Sequence, residues 1–450
     1  MTTLTASSGR RDWRRLHPLS PVVRFGRLFA ALAVLTIPSL QTFQHGHRDE
    51  SFTLSVWGAL MVVGILAGVV SWAVTRWRVE GNALQIQTGL LRRQFISIPL
   101  VRIQAVDVVA PLVARVLGLA EVRVVSAGRG GERGRLAYVT AAEAPALRAE
   151  LLALAHGLAA ETPVPPALAV FRVDNTQLVA SMFLRGSLLF PMAVTAASLA
   201  AGIATHSPSL LGTGLSAGVT SVASLVRFFN EEFDLSLNEA GDGLRVDRGL
   251  LQRRHETIPY GRIQAVRILQ PLLWRPFGWS RIEVDIARQG GVRREDQESR
   301  RVTRTLVPVA AHAAALAVAG RVLPGANLLP PEGSRPPRRA VVRAPLSYHF
   351  LAAWHDAYYA CGRTGRVRAE TVVVPVAKIQ SIRLATGPVQ RALGLASVHV
   401  DTAGQRWQAK ALFRDPTEAD AILWEFAELA RQGRLRARPG SPASVSRAAT

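Results

Sequence analysis

Arginine supplies most of the reactive chemistry in this chain, and it is concentrated in two loops. Arg129, Arg133 and Arg135 lie in and beside a glycine-rich turn at 128–134. Arg288, Arg293, Arg294, Arg300, Arg301 and Arg304 crowd a longer loop at 288–304, diluted by Glu295, Asp296 and Glu298. A guanidinium group offers a planar fork of donors that suits carboxylate or phosphate oxygens. Such loops fit an acidic protein surface or anionic headgroups, and they equally fit a solvated loop that binds nothing.

Catalytic and metal-binding patterns are weaker. His45 and His47 stand near Asp49 and Glu50, but two histidines two residues apart in a short polar loop are a poor metal site. His355 and Asp356 are adjacent, so on a strand their side chains leave opposite faces and cannot act as an acid–base pair. The 128–134 loop lacks the lysine and Ser/Thr of a phosphate-binding loop. The single cysteine, Cys361, rules out an internal disulfide framework and a cysteine-based zinc site. Neither an enzyme nor a cofactor is expected.

The elements that must position these arginines recur. Residues 89–128, 249–288 and 365–404 align without a gap, at spacings of 160 and 116 residues. The aligned positions are Gly89, Pro99, Arg102, Ile103, Gln104 and Gly118, then Gly249, Pro259, Arg262, Ile263, Gln264 and Gly278, then Gly365, Pro375, Lys378, Ile379, Gln380 and Gly394. These spacings are too long for a solenoid and fit three copies of one small domain. Each copy alternates polar and apolar residues between glycine-marked turns, as strands do, and closes on a helical pattern. In the first copy Thr140 and Glu143 form a capping box, with Leu147, Leu151, Leu154 and Leu158 at helical spacing. In the third, Asp415, Pro416 and Glu418 start a helix carrying Ile422, Phe426 and Leu429. The Pro-x-x-[Arg/Lys]-Ile-Gln signature reads as mainly structural, with proline ending a strand, isoleucine facing a core and glutamine bonding backbone.

Net charge is +22, and mean hydropathy is nonetheless positive. That pairing favours a membrane protein with basic cytoplasmic parts over a nucleic-acid binder, which needs aromatics interleaved with its basic residues. Residues 52–74 form a 23-residue run without a charge, enough to span a bilayer. With the shorter run at 28–40 they make a hairpin, 28–74. A second apolar pair, 187–204 and 210–226, lies within 178–228 and is rich in small residues that let membrane helices approach closely. Arginines flank both pairs on the outer sides, and the turn of the second pair has none. The positive-inside rule then puts both termini and all three repeats in the cytoplasm.

The expected organisation is a basic N-terminus (1–27), hairpin one (28–74), domain one (75–160), hairpin two (178–228) and domain two (229–323). A Pro-rich linker (324–345), domain three (346–431) and a disordered basic tail (432–450) complete it.

Two apolar hairpins and three copies of this strand-rich unit resemble the YdbT-like bacterial membrane proteins, which carry bacterial pleckstrin-homology (PH) domains of the second type. The resemblance covers about residues 14–430. It implies an α+β membrane protein whose PH-like units are bent antiparallel barrels capped by a C-terminal helix. Some relatives are linked to antimicrobial-peptide resistance. Repeat three departs from the pattern, with Lys378 for arginine and Gly387-Pro388 displacing the proline at Pro111 and Pro271. The favoured reading is a non-enzymatic plasma-membrane scaffold binding a protein partner or anionic lipid headgroups, in envelope maintenance or peptide resistance, with no nucleic acid. A component of a membrane transport or export system is the alternative.

Overall fold

A computed structural model describes residues 13–15, 17–21, 58, 62, 66, 69–70, 72–155 and 168–436, apart from 81–82, 90–93, 127–133, 242, 287–303 and 405. The first apolar hairpin, 28–74, therefore lies almost wholly outside the described residues. Those that are described within it are helical, and Val62, Leu66, Val69 and Val70 form an exposed apolar stripe.

The chain divides into two compact units. The first comprises residues 1–166 with 251–257 and 289–291. It opens with β1 (Arg14–Arg15), β2 (Arg76–Glu80), β3 (Ala83–Thr88) and β4 (Gln94–Pro99), an antiparallel sheet in sequence order. Leu84, Ile86 and Ile98 face inward at the two-residue period of a half-buried sheet. A one-turn 3-10 helix, Leu100–Arg102, leads into β5 (Ile103–Ala110), which pairs with β6 (Leu119–Ser126), and β6 pairs with β7 (Gly134–Thr140). The short helix α1 (Leu112–Val116) bridges β5 and β6. Helix α2 (Glu143–Ala155) starts where the Thr140 hydroxyl accepts from the Glu143 amide at 3.2 Å, and it buries Leu147 and Leu151. A further strand, β11 (Arg253–Ile258), pairs with β5 through residues 253–255.

The second unit comprises 167–250, 258–288 and 292–450. Its first strand is β8 (Leu168–Arg172), followed by α3 (Asn175–Phe183), capped by Asp174, whose carboxylate accepts from the Thr176 amide at 2.9 Å. Helices α4 (Gly186–Ala204) and α5 (Pro208–Glu232) then form an antiparallel hairpin across a three-residue connection, Thr205 to Ser207. A Cβ on Gly202 would stand 2.8 Å from Leu211, and one on Gly214 2.8 Å from Leu199. Glycine is required there by helix proximity. By length and composition α5 alone could cross a bilayer, as could α3 with Leu188–Ala204 of α4 as one bent segment.

After the hairpin come β9 (Ser236–Ala240) and β10 (Gly243–Arg248), then β12 (Ile263–Pro271), β13 (Trp279–Ile286), β14 (Arg304–Ala311) and helix α6 (His312–Val322). The third repeat supplies β15 (Ala352–His355), β16 (Tyr359–Thr364), β17 (Arg368–Pro375), β18 (Ile379–Ala385), the short helix α7 (Pro388–Ala392), β19 (Ala396–Thr402), β20 (Ala409–Arg414) and helix α8 (Pro416–Arg436). Repeats two and three are not separate barrels. β12 pairs antiparallel with β17, giving one six-stranded sheet in the order β14-β13-β12-β17-β16-β15. One apolar core runs through both, from Leu237, Val246 and Ile282 to Trp354, Tyr359 and Val373.

Residues 324–345 differ from the extended linker expected of their prolines. Pro324 and Asn327 carbonyls accept from Tyr359 Oη at 3.1 Å and Trp354 Nε1 at 2.8 Å, and Ala353 donates to Ser334. Buried Arg414 donates to the Ser334 and Arg335 carbonyls. The extended backbone leaves these carbonyls unpaired, and the third repeat supplies the donors. Helix α8 runs to Arg436, five residues into the stretch read as tail, because Glu428 pairs with Arg431 and Arg434 donates to the Ile379 carbonyl. Residues 437–450 lie outside the described residues.

The repeat glycines share one backbone conformation. Gly89, Gly249 and Gly365 have φ of 96°, 107° and 85°, and Gly118, Gly278 and Gly394 of 67°, 63° and 59°. A side chain in this left-handed region costs about 1–2 kcal/mol. A Cβ on Gly365 would also collide with the Arg368 carbonyl, whereas one on Gly118 meets open space. Gly365→Ala should therefore lower the thermal unfolding midpoint of purified protein by more than Gly118→Ala does. Equal shifts would show that backbone strain alone sets the cost.

Candidate functional site: a buried ion chain at the base of a helical hairpin

Helix ends expose unpaired N–H groups at one end and carbonyls at the other, which favour acids at the start and bases at the finish. The α4–α5 hairpin breaks both preferences. Arg185 stands at the N-cap of α4, and Glu232 ends α5. Each misplacement costs about 0.3–1 kcal/mol. The two side chains meet, Arg185 Nη2 to Glu232 Oε2, at 2.5 Å, and so offset one another's unfavourable position.

From that pair a chain of alternating charge passes into the sheet. The other Glu232 oxygen accepts from Arg281 Nη2 at 2.7 Å, and Arg281 Nε donates to Glu283 Oε1 at 2.7 Å. Arg281 also donates to the Thr305 hydroxyl at 2.6 Å. The second Glu283 oxygen accepts from Arg267, which reaches Glu370 at 3.2 Å. The order Arg185, Glu232, Arg281, Glu283, Arg267, Glu370 alternates in sign and sums to zero. It runs from the hairpin through β13 and β12 to β17 of the third repeat. Strand alternation explains the geometry: Arg281 and Glu283 are two apart on β13 and share a face, while Ile282 and Val284 point into the apolar core.

Glu232, Arg281 and Glu283 are buried. Burial by itself would push the Glu283 carboxyl up, but the guanidinium groups of Arg281 and Arg267 overcome this and hold it below its ordinary range. Burial would lower Arg281, yet Glu232 and Glu283 raise it further above neutrality. Arg267 also lies 4.4 Å over the Trp407 ring. Carboxylates engaged in this way are poor acids, bases or ligands. The arrangement is a mechanical tie between the hairpin and the shared sheet.

The equivalent positions in repeat one, 160 residues earlier, carry Asp107, Glu121 and Arg123 in place of Arg267, Arg281 and Glu283. Arg123 pairs with buried Glu121 at 3.1 Å. The signs are exchanged between the copies. Acid and base at these places are therefore not interchangeable parts of a fold motif, and each copy is matched to its own surroundings.

The sequence-predicted residues divide differently. Arg129, Arg133, Arg288, Arg293, Arg294, Arg300 and Arg301 lie outside the described residues. Arg135 lies on β7 opposite Arg123, and Arg304 begins β14 opposite Val284. Pro99, Pro259 and Pro375 each precede an identical one-turn 3-10 helix, with ψ of 130°, 133° and 129°. Ile103, Ile263 and Ile379 are buried behind it. Arg102 and Gln380 are exposed and Arg262 is half-buried. Gln104 lies on β5, and Gln264 donates to the Arg262 carbonyl at 3.1 Å. Lys378 donates to the Gly261 carbonyl at 2.6 Å, joining the third repeat's turn to the second's. His355 pairs with Glu425, while Asp356 accepts from the Tyr358 and Tyr359 amides, so the two share no proton path. Among the described residues no group of three acidic, His or Cys side chains is placed to hold a metal ion. His45 and His47 lie outside them.

The ion chain was not anticipated, although a signal existed. After Asp174 the sequence has no acid until Glu231 and Glu232, at the end of an apolar helix. Removing one member of a buried ion pair costs about 3–5 kcal/mol, because its partners stay charged and unpaired. Glu283→Gln should lower stability by that order, read as a drop in thermal midpoint. A depressed carboxylate stabilises above its unfolded pKa of about 4.3, and that contribution is lost as pH falls through its folded value. The difference between wild type and Glu283→Gln should therefore be full at pH 7 and shrink on acidification below about 4. A difference independent of pH would remove the ionic account.

Comparison with known proteins fits this repeated architecture. The family model for the bacterial PH domain matches three times, at residues 28–155, 177–326 and 339–430. The chain is also 22% identical over 324 residues to the transmembrane protein YdbT of Bacillus subtilis (strain 168). That alignment covers 63% of this chain and 64% of YdbT, so the chain spans just under two thirds of that relative's length. Three matches in register with three copies of the same glycine turns and 3-10 helix make this chain a member of the bacterial PH domain family.

Proposed function

We propose that the chain is an integral membrane protein whose two apolar hairpins, 28–74 and 178–228, hold three PH-like domains at the cytoplasmic face of the plasma membrane. There the domains serve as a non-enzymatic scaffold for a protein partner or for anionic lipid headgroups. The observation that carries this reading is the buried ion chain. It fastens an apolar hairpin to the sheet of repeats two and three, as a surface-held platform requires.

The chemistry of α5 supports the membrane assignment. Thr213, Ser216, Thr220, Ser221 and Ser224 each donate to a carbonyl three or four residues back, so their hydroxyls ask nothing of the surroundings. In hydrocarbon an unsatisfied polar group costs several kcal/mol, and this local pairing avoids it. Leu215, Val219, Val222 and Val226 form an exposed apolar stripe beside them. YdbT is itself described as a transmembrane protein. A transport or export component is the second reading. It is less favoured because no charged residue lies between Arg185 and Arg227 to carry a solute or proton.

Two experiments bear on the proposal. In intact cells Ser207→Cys should react with a membrane-impermeant maleimide, whereas Tyr358→Cys should react only after permeabilisation. Cys361 is buried and should give little background. The opposite pattern would invert the topology. Replacing Arg293, Arg294, Arg300 and Arg301 together with glutamine should lower retention of phosphatidylglycerol by the detergent-purified protein and leave phosphatidylethanolamine retention unchanged. Undiminished phosphatidylglycerol would remove the loop as a headgroup site.

A further inference from the structure

One strand-to-strand contact occurs twice in this chain, once within each compact unit. In the first use, residues 253–255 of β11 pair with the edge of β5, with Val108 opposite His255. In the second, β17 pairs with the edge of β12, with Ile268 opposite Thr371. Aligned on the repeat glycines, Val108 and Ile268 are the same position, and so are His255 and Thr371. The register is therefore identical in the two contacts. In both, the strand after the Pro-x-x-[Arg/Lys]-Ile-Gln turn accepts the third strand of the following repeat.

Two strands are left over. β18 is the accepting strand of repeat three, and among the described residues no strand pairs with its outer edge. β4 is the third strand of repeat one, and among the described residues no accepting strand pairs with its outer edge. Among the described residues each lies at the outer edge of its sheet. Their exposure matches: most of β18 beyond Ile379 and most of β4 are exposed, while β12 is mostly buried and half of β17 is. Along β18 lies a groove of about 230 Å³, walled by Ile382 and Gln380 on one side and Leu423, Ala427 and Arg434 of α8 on the other. Unpaired N–H and C=O groups beside apolar side chains are a template for another strand.

We propose that β18 of one molecule accepts β4 of a second copy of this chain, in the register of the two contacts already seen within the chain. That register puts Leu384 opposite Phe95, Ile382 opposite Ser97 and Arg383 opposite Ile96. Leu384 and Phe95 are 42% and 58% exposed as they stand, large apolar side chains that this pairing would cover. Trp13 meets the Phe95 ring edge-on at 6.5 Å and would flank the new pair. A second copy is favoured over an unrelated strand because β4 has the repeat-specific features of β11 and β17, including the closing proline and the same 3-10 turn. The contact is heterologous, so it propagates to a ring or a row of molecules. It goes beyond the scaffold reading and does not depend on the ligand of the domains.

The test uses full-length chains in native membranes. Phe95→Cys and Leu384→Cys are made separately, with different tags, and co-expressed under mild oxidation. Opposed residues on paired strands are about 4.5–5.5 Å apart at Cα, within disulfide reach. A mixed disulfide dimer is expected in the Phe95→Cys plus Leu384→Cys pair, about tenfold above either variant alone. Phe95→Cys with Arg383→Cys should stay at background, because a one-residue shift turns the side chain to the other face. Absence of the mixed dimer overturns the proposal, whether the thiols react freely with maleimide (bare edges) or are blocked (another occupant). Equal linking of the shifted pair overturns the register. Either failure leaves the membrane-labelling experiment, and with it the scaffold reading, intact.

Discussion

The Arg281 guanidinium is the point on which much of the second unit turns. It bonds Glu232 at the end of an apolar helix, Glu283 on its own strand and Thr305 on the next. Two charged partners are needed there because a buried cation without them would be far too costly. Replacing the whole chain of charge with apolar side chains of the same volume would by general experience cost little, or even stabilise. What the ionic version adds is selectivity. Arg185 and Glu232 sit at helix ends that repel them, so the hairpin has one favourable seat, where Arg281 waits. The exchanged signs of Glu121 and Arg123 in repeat one fit the same logic of matched seats.

Strand sharing has a separate physical basis. A PH-like unit of this kind has two small three-stranded sheets, each with open edges. Edges expose unpaired backbone groups, and natural proteins cover or charge them. In this chain the repeats cover one another. β12 and β17 pair along six residues, Arg267 crosses the seam to Glu370, and Lys378 crosses it to Gly261. Backbone pairing, an ion pair and a lysine-to-carbonyl bond therefore act on one interface. Together with the shared core they bind repeats two and three to one another, and the strap at 324–345 is bonded to repeat three.

The repeat was legible because its markers are backbone requirements. A left-handed turn calls for glycine, a strand end before a 3-10 turn accepts proline, and a core-facing position calls for isoleucine. Each is a local demand, so it survives in all three copies while the surrounding sequence drifts. The helical hairpin within 178–228 was legible for the same kind of reason, and Gly202, Gly214 and Gly218 prove to be places where α4 and α5 touch.

The ion chain and the shared sheets were not legible, because they join residues that are distant in sequence. Arg185 and Glu232 are 47 residues apart, and Arg267 and Glu370 are 103 apart. Nothing local distinguishes Arg281 from the many solvated arginines of so basic a chain. The prolines of 324–345 spoke for an extended backbone but could not say which donors would line up beside it. Local conformation follows from the few atoms around each residue, so the sequence by itself determined the turns, the strands, the repeat and the helical hairpin of α4 and α5. Which charges are buried, which edges are filled and which are left open depends on long-range pairing, and only the tertiary structure decided that.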